Sequence, residues 1–294
     1  MDKRRGTRIL MAVAALVIVA AACGDDEKTG GNAEEFPAGT TMAKLQDAGE
    51  ITIGVKFDVP PFGKKNPQSG DVEGFDVEMG TFIADALGVE PKFVEAISDN
   101  RIPFLQDGTV DLILSTMTIT TDRDAEIDFS EPYFVAHGRI LVPGDSDIQG
   151  VEDLAGRSVC TALGSTYEGN LKESAPEAEL KLVDSYSECL ELVQTGSVDA
   201  VSTDDVILTG MIIQDPSLKL VGDELTVEPY GVGIKEGDTE FKAFVDGVIA
   251  DVKADGRWKE IFDTWIGTYT HQEAEPPDLT LEDAYELRPC VETC

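Results

Sequence analysis

The stretch DLILSTMTITTDRDAEIDFSEPY (residues 111–133) indicates a buried strand that ends in a polar site. Its apolar run, residues 112–114, is short and bounded by polar residues, as is typical of a buried strand. Hydroxyl side chains and Arg123 follow at once. In open α/β sheets, ligands bind beyond the carboxyl ends of the strands, and a guanidinium can bond both oxygens of a carboxylate. The stretch therefore predicts a site for a small carboxylate, although a buried strand followed by a polar turn and a surface arginine gives the same pattern.

Strand and helix patterns alternate on both sides of this stretch. In a first unit, the strand patterns ITIGVKF, PKFVEAI and DLILST are separated by the helical patterns GFDVEMGTFIADALGV and NRIPFLQDGTV. A second unit with the same alternation runs from about residue 145 to residue 227. This order predicts an α/β fold with mainly parallel sheets flanked by helices. The chain crosses between the units near residues 135–142 and 227–232, and two crossing segments predict a hinge.

The composition is strongly acidic and excludes one class of function. The 294 residues carry a formal net charge of −34, from 23 basic and 57 acidic side chains. Nucleic-acid binding needs a basic face, so we expect no nucleic-acid partner. The two histidines, His137 and His271, lie far apart, and no phosphate-binding glycine motif is present. We therefore expect no metal and no cofactor.

The N-terminus has the order of a processing segment. Basic residues near the start are followed by an apolar run and then by Cys23. The run is shorter than a transmembrane helix needs. It resembles a bacterial lipoprotein signal (residues 1–22) with Cys23 as the lipidated first residue. Ala20 stands where such signals usually have Leu, so ordinary secretion is the alternative. Residues 23–41 are polar, acidic and glycine-containing, which predicts a flexible tether.

The stretch of residues 111–133 resembles the amino-acid-binding motif of the family 3 extracellular solute-binding proteins of ABC importers. Further motifs match in the family's order over about residues 45–270. They are IGVKFDVPPFGKKN (residues 53–66), GFDVEM (74–79), NRIPFLQDGTVDL (100–112), DLAGRSV (153–159), LGSTYE (163–168), GSVDAVSTDD (196–205), EPYGVGIKEGD (228–238) and DGRWKEIFDTWIG (255–267). One such motif indicates membership only weakly, whereas eight in sequence indicate it strongly.

The resemblance implies a two-lobed clamshell of the periplasmic-binding-protein type II class, with the ligand in the cleft between the lobes. It implies a monomeric amino-acid-binding protein outside the cytoplasm. A lipid would hold it at the outer face of the cell membrane, where it would deliver its ligand to the permease subunits of an ABC importer. The implied lobes are residues 42–136 with 232–270, and residues 137–231. Residues 271–294 form an acidic tail beyond the resemblance, to which the sequence assigns no role.

The resemblance assigns the ligand's α-carboxylate to residues from both lobes. Arg123 is expected to bind this carboxylate, with Thr116 and Thr118 donating hydrogen bonds to it. Ser165 and Thr166, at the start of a second-lobe helix, are expected to close over the same group. The helix position supports this expectation independently, because a helix N-terminus favours an anion in any family.

The α-ammonium group is assigned to Asp204, at the end of the strand pattern VDAVSTD. From the residues alone, Asp204 could instead be the N-cap of the helix that follows. The adjacent Asp205 could equally be that cap, so the choice between the two rests on the resemblance.

The ligand's side chain is expected to meet basic residues of the first lobe. Family members that resemble glutamate/aspartate binders place a basic residue near Lys56 and a Ser…Asn-Arg pattern at SDNR, which begins at Ser98 and ends at Arg101. An acidic side chain held by Lys56 and Arg101 in a closed cleft is electrostatically favourable, and Phe57 completes the implied wall. The alternative for Lys56 and Arg101 is that both are solvated surface charges. Glutamine or another polar amino acid is the alternative ligand.

The cysteines predict one disulfide. If Cys23 is lipidated, four cysteines remain, an even number for a chain outside the cytoplasm. Cys160 lies in a strand pattern and Cys189 in a helical pattern of the second unit. We predict that these two pair, and that Cys290 and Cys294 pair with each other or remain free.

An enzyme of the same fold is the alternative of a different class. Cyclohexadienyl dehydratases resemble these proteins and act on a carboxylate-bearing ring. An enzyme would need a positioned general acid in the cleft. Glu168 is a weak candidate for this role, and His137 near the crossing is more typical of a structural histidine. We therefore expect a binding protein.

Overall fold

The computed structural model describes residues 36–271 and 273–289. The predicted signal peptide, Cys23 and most of the predicted tether lie outside the described residues, as do Cys290 and Cys294. No helix in the described part of the chain is both long and apolar enough to span a bilayer.

The first half of the chain folds into an α/β lobe. Its elements are α1 (Thr41–Ala48), β1 (Glu50–Val55), β2 (Asp58–Val59), β3 (Gly63–Lys65), β4 (Val72–Glu73), α2 (Phe75–Leu87), β5 (Glu90–Glu95), a 3₁₀ turn (Ser98–Asn100), α3 (Arg101–Asp107), β6 (Leu112–Ile113), α4 (Thr121–Asp124) and β7 (Asp128–Phe129). Helix α2 ends where Gly88 adopts a left-handed conformation (φ 72°), which glycine allows without steric cost. The strands β2, β3 and β4 form a small separate sheet that the sequence did not indicate.

The second lobe follows, and the chain then returns to the first. Its elements are β8 (Phe134–Pro143), a 3₁₀ turn (Val151–Leu154), β9 (Ser158–Ala162), α5 (Tyr167–Ser174), β10 (Glu179–Val183), α6 (Tyr186–Gln194), β11 (Ala200–Asp204), α7 (Asp205–Gln214), β12 (Leu218–Val221) and β13 (Val227–Tyr230). The returning elements are β14 (Gly233–Ile234), α8 (Thr239–Ala254), α9 (Arg257–Phe262), a π-helical turn (Asp263–Gly267), α10 (Thr268–Thr270) and α11 (Leu281–Leu287).

Each lobe is built on one mixed sheet. The first sheet has the order β5-β1-β6-β14-β7, and the second has the order β10-β9-β11-β8-β12. The pairs β1–β5 and β1–β6 are parallel, as are β9–β10 and β9–β11. The strands that carry the chain between lobes pair antiparallel with their neighbours. The predicted two-lobed α/β fold is therefore confirmed, with antiparallel pairs wherever the chain crosses or returns.

The two crossing segments lie side by side. Strand β13 pairs antiparallel with the first residues of β8, so that Tyr230 faces Phe134 and Val227 faces His137. Phe134 also contacts the ring of Phe62 from the first lobe, with 5.1 Å between ring centroids. The base of the hinge is thus packed into the aromatic core of the first lobe.

The predicted disulfide between Cys160 and Cys189 is confirmed. It joins β9 to α6 across a sequence separation of 29 residues, and both cysteines are fully buried. The end of the predicted tether also belongs to the first lobe. The ring of Phe36 packs edge-on against Phe244 of α8, and Thr40 caps α1.

Candidate ligand-binding site

A very small cavity, with a volume of about 10 Å³, lies between the lobes. A space of roughly 10–15 Å³ holds one water molecule, so the two lobes lie almost in contact here and an amino acid would need them to separate before it could enter. Eight of the ten predicted ligand-binding residues line it, together with two tyrosines. The lining residues are Ser98, Arg101, Thr116, Thr118, Arg123, Ser165, Thr166, Tyr167, Tyr186 and Asp204.

Arg123 is the guanidinium predicted to hold the α-carboxylate. It lies in α4, and its backbone N–H donates to the capping hydroxyl of Thr120 (3.2 Å). Its Nη1 donates to the carbonyl of Thr118 (2.7 Å) and its Nη2 to the carbonyl of Gly164 in the second lobe (3.0 Å). Burial lowers the pKa of Arg123, but a guanidinium keeps its charge in proteins. The residue therefore offers a fixed positive charge in the lining of the cavity.

Arg101 is more firmly bound to the backbone than the sequence suggested. Its Nε donates to the carbonyl of Ser98, and its Nη1 donates to the carbonyls of Ser115 and Thr116. Its Nη2 donates to the carbonyl of Gly164. A guanidinium has five N–H donors, so within the described residues four are already used. Arg101 therefore mainly orders the loop that carries Thr116, with one N–H left for a ligand.

Lys56 was predicted to be a ligand-binding residue; it does not line the cavity itself, but its hydrogen-bond partner Ser98 does, and Lys56 is only 1% exposed. Its Nζ donates to the hydroxyl of Ser98 (2.8 Å) and lies 5.7 Å from the ring centroid of Tyr186. Among the described residues, no carboxylate forms an ion pair with it. Burial, assisted by the positive charge of Arg101, lowers the pKa of Lys56 to about 7. Lys56 is thus a buried cation that gains stability from any anion placed beside it.

Phe57 was predicted to be a ligand-binding residue, but it does not line the cavity. Its ring is partly buried and stacks under the ammonium of Lys65, whose Nζ is 4.9 Å from the ring centroid. The chain bends at residue 57 after the end of β1, and there the Lys56 side chain is buried while the Phe57 ring stays partly exposed.

The second lobe closes on the first through Gly164. This residue has φ 74°, and an added Cβ would lie 2.6 Å from the Cα of Asp99 in the first lobe. Only glycine fits both the conformation and the approach. The next two residues lead into α5. The hydroxyl of Ser165 contacts that of Thr161 (3.3 Å), and the hydroxyl of Thr166 donates to Glu228 (3.0 Å).

The two adjacent carboxylates, Asp204 and Asp205, have separate environments. Asp204 makes no side-chain capping bond to α7, and its Oδ1 instead accepts the hydroxyl of Tyr167 (3.0 Å) in the cavity. Burial and the nearby Glu228 raise the pKa of Asp204. Asp205 instead accepts the backbone N–H groups of Val206 and His137. The carboxylate available to a ligand ammonium is therefore that of Asp204.

Asp76 is a supporting residue that sequence reasoning missed. It accepts the backbone N–H of Thr116 (2.9 Å) and the hydroxyl of Tyr133 (2.8 Å). Thr116 has φ 45°, a conformation that costs energy for a β-branched residue and is held here by Asp76 and Arg101. Burial raises the pKa of Asp76 to about 7. The sequence contained a signal for both residues that were missed, because Asp76 lies in the quoted motif GFDVEM and the cavity-lining Tyr167 lies in LGSTYE.

The two residues considered for acid–base chemistry lie outside the cavity lining. Glu168 pairs with Lys172 one turn later on α5 (2.8 Å). His137 lies between Asp205 and Glu224, each 3.8 Å from a ring nitrogen, and the hydrogen bond to Asp205 raises its pKa. Neither residue reaches the groups that would touch a ligand.

A clamshell with a small, charge-lined cleft between two mixed sheets defines a solute-binding protein. The chain belongs to the bacterial extracellular solute-binding proteins, family 3, whose family model matches residues 51–268. It is therefore an extracytoplasmic protein that captures a small solute.

Its relatives bind amino acids. The ABC transporter glutamine-binding protein GlnH of Bacillus subtilis is 41% identical over 254 residues, which cover 85% of this chain and 93% of that relative. The glutamate-binding protein GluB of Corynebacterium efficiens is 32% identical over 301 residues, which cover 96% of this chain and 99% of that relative. The second match extends well beyond residues 51–268.

Solved structures with the same fold include proteins reconstructed as ancestors. One is an ancestral arginine-binding protein bound to glutamine, with a TM-score of 0.72 and 36% identity, covering 74% of this chain and 98% of that one. Another is the ancestral amino acid-binding protein AncCDT-1, a precursor of cyclohexadienyl dehydratase, with a TM-score of 0.71 and 32% identity, covering 77% and 99% of the two chains.

Proposed function

We propose that this protein binds L-glutamate in the cleft and delivers it to the permease of an ABC importer. The observation that carries the proposal is the buried ammonium of Lys56, which forms no ion pair with a carboxylate among the described residues. A buried cation without an anionic partner is costly, and a ligand carboxylate would supply that partner. The α-carboxylate would then bind Arg123, and the α-ammonium Asp204.

The charge balance of the site supports an acidic ligand. The cations are Lys56, Arg101 and Arg123, and the buried anions are Asp76 and Asp204; the buried Glu228 forms an ion pair with Arg288, so this pair adds no net charge. Three positive and two negative groups leave one positive charge when all are ionised. The α-groups of an amino acid cancel each other, so with all these groups ionised a side-chain carboxylate makes the closed cleft neutral.

L-Glutamine is the second candidate. The higher identity to the glutamine-binding relative supports it, as does the pKa of Lys56 near 7. A neutral lysine amine carries no buried charge and can bond to an amide. The two ligands therefore differ in what they require of Lys56, and this difference can be measured.

Calorimetric titration with the twenty amino acids tests the proposal. We expect L-glutamate to bind at least about tenfold more tightly than L-glutamine at pH 7, which corresponds to about 1.4 kcal/mol. Tighter binding of L-glutamine would overturn the glutamate assignment in favour of the second candidate. A basic or apolar amino acid as the best ligand would overturn both.

The same proposal makes the protein a carrier and not an enzyme. The geometry supports this because Glu168 bonds to Lys172 and not to the cavity. Incubation with prephenate or arogenate is the test. Turnover of either compound would refute a binding-only role, whatever the result of the titrations.

We further propose that a lipid on Cys23 anchors the protein at the outer face of the membrane. The basic, apolar and small-residue order before Cys23 supports this. Cys23→Ser should release the protein into the medium without fatty acid. A variant that stays in the membrane fraction and still incorporates labelled fatty acid would contradict the anchor.

A further inference from the structure

The described part of the acidic tail is folded onto the first lobe. Thr280 begins α11 with a capping box, in which its hydroxyl accepts the N–H of Asp283 and the Asp283 carboxylate accepts the N–H of Thr280. Before the helix, the carbonyl of Pro277 accepts from the ammonium of Lys253 in α8 (3.3 Å). The tail therefore starts from a fixed position.

Helix α11 is itself bound to the first lobe. Ala284 is fully buried in a core cluster of that lobe, and Leu281 and Tyr285 pack against it. The N–H of Leu281 donates to Glu131 (2.8 Å), and the hydroxyl of Tyr285 donates to Asp124 of α4. These contacts attach the helix to one lobe only.

Arg288, directly after α11, contacts both lobes. Its carbonyl accepts the N–H of Thr121 in the first lobe (3.3 Å). Its Nη2 donates to the side-chain oxygen of Asn170 on α5 of the second lobe (2.8 Å), and its Nη1 lies 3.2 Å from a carboxylate oxygen of Glu228. The Arg288 side chain is 13% exposed and that of Glu228 is fully buried. One residue of the tail thus spans the cleft.

Glu228 connects Arg288 to the ligand site. Its carboxylate accepts from Asn170 (3.1 Å), from Thr226 (2.6 Å) and from the hydroxyl of Thr166 (3.0 Å), which lines the cavity. Glu228 lies in β13, the strand that carries the chain back between lobes. A buried carboxylate needs a cation, and Arg288 is the only one that forms an ion pair with it among the described residues.

We propose that Arg288 is a positioning residue of the binding site and that the tail acts as a clamp on the closed cleft. The tail is fixed to the first lobe, so its bonds to Asn170 persist only while the second lobe is close. Opening the cleft breaks them, and closure forms them together with the contacts to the ligand. The clamp thereby slows release of the bound amino acid. This inference rests on amino-acid binding as proposed above, but not on the choice between glutamate and glutamine.

The test is Arg288→Ala in the full chain, with L-glutamate and L-glutamine as probes and stopped-flow measurement of both rate constants. We expect Kd to rise at least tenfold for the better ligand, through a faster dissociation rate and an association rate within twofold of wild type. Arg288→Lys should recover part of the loss, since an ammonium can still pair with Glu228. Lys172→Ala is the matched control, because it removes an exposed cation from α5 with the same change of net charge.

The outcomes separate the inference from the proposed function. A folded Arg288→Ala protein with Kd within twofold of wild type would overturn the clamp and leave amino-acid binding intact. A wild-type protein that binds none of the twenty amino acids would overturn the proposed function and the clamp together. If Arg288→Ala does not fold, Asn170→Ala decides: it keeps the Arg288–Glu228 pair, and unchanged dissociation in that variant would overturn the clamp.

Discussion

Replacing Lys56 by Met should weaken the binding of L-glutamate far more than that of L-glutamine. The substitution keeps an unbranched side chain in the same space and removes the ammonium. In the wild type, Lys56 is 1% exposed and its ammonium bonds to Ser98. A ligand carboxylate beside it would lose its partner and remain buried.

The magnitude follows from that burial. Removing one partner of a buried, hydrogen-bonded charge pair costs about 2–5 kcal/mol, or about 30-fold to several thousandfold in Kd at 1.4 kcal/mol per tenfold. For L-glutamine the loss is one hydrogen bond, about 1 kcal/mol, and it is offset because a buried cation also disappears. We therefore expect Kd to rise at least about 30-fold for L-glutamate and less than about tenfold for L-glutamine.

Paired calorimetric titrations of both ligands measure this difference. Lys65→Met is the matched control, because Lys65 lies over the ring of Phe57 outside the cavity and its loss changes the net charge equally. The control should bind both ligands like wild type. Equal losses for L-glutamate and L-glutamine in Lys56→Met would show that Lys56 does not read the ligand side chain.

Three further predictions concern closure, protonation and stability. Gly164→Ala should raise Kd for both ligands at least tenfold, because the added Cβ would meet the first lobe. The control Gly156→Ala, at a similar positive φ (68°) but in open space, should leave Kd unchanged. Equal Kd values for the two variants in isothermal titrations would exclude the close lobe contact. A bound carboxylate raises the lowered pKa of Lys56, so the complex holds more protons than the free protein. Affinity for L-glutamate relative to L-glutamine should therefore fall as the pH rises from 7 to 9, and a constant ratio would contradict this. The double variant Cys160→Ala/Cys189→Ala should lose about 3–4 kcal/mol of unfolding free energy in urea titrations, because the disulfide closes a loop of about 30 residues.

The sequence predicts those parts of the fold that local patterns determine. The apolar spacing in α2 and its stop at Gly88 are confirmed, as is the strand–helix order of both lobes. The antiparallel pairing of β13 with β8 was not predictable in the same way, since it depends on where a chain returns after about 90 residues. The small sheet of β2, β3 and β4 consists of two- and three-residue strands, which are too short to show a period.

The residues of the candidate site also differ in how far the sequence predicts their roles. Asp204 is the last residue of β11, and Thr118 and Arg123 follow within ten residues of the short strand β6, so position along the chain already suggests a role for all three. The role of Arg101 depends on carbonyls from three separate loops, which the sequence does not bring together. From sequence it was predicted to bind the ligand side chain, whereas in the structure it mainly donates hydrogen bonds to the backbone. Arg288 gave no signal at all, because nothing in an acidic tail marks one arginine as the partner of a buried glutamate.

The pairing of the two crossing strands has a mechanical consequence. A joint made of two separate linkers would let the lobes rotate and slide in several directions. Residues 134–137 and 227–230 are instead bonded to each other as a two-stranded ribbon. Such a ribbon bends easily perpendicular to its face and resists shear along its length. We therefore expect the lobes to rotate about a single axis through the ribbon, with little sliding. Side chains packed against this ribbon then set the angle between the lobes in the absence of ligand. Substitutions among them can change the affinity without altering any residue that touches the solute.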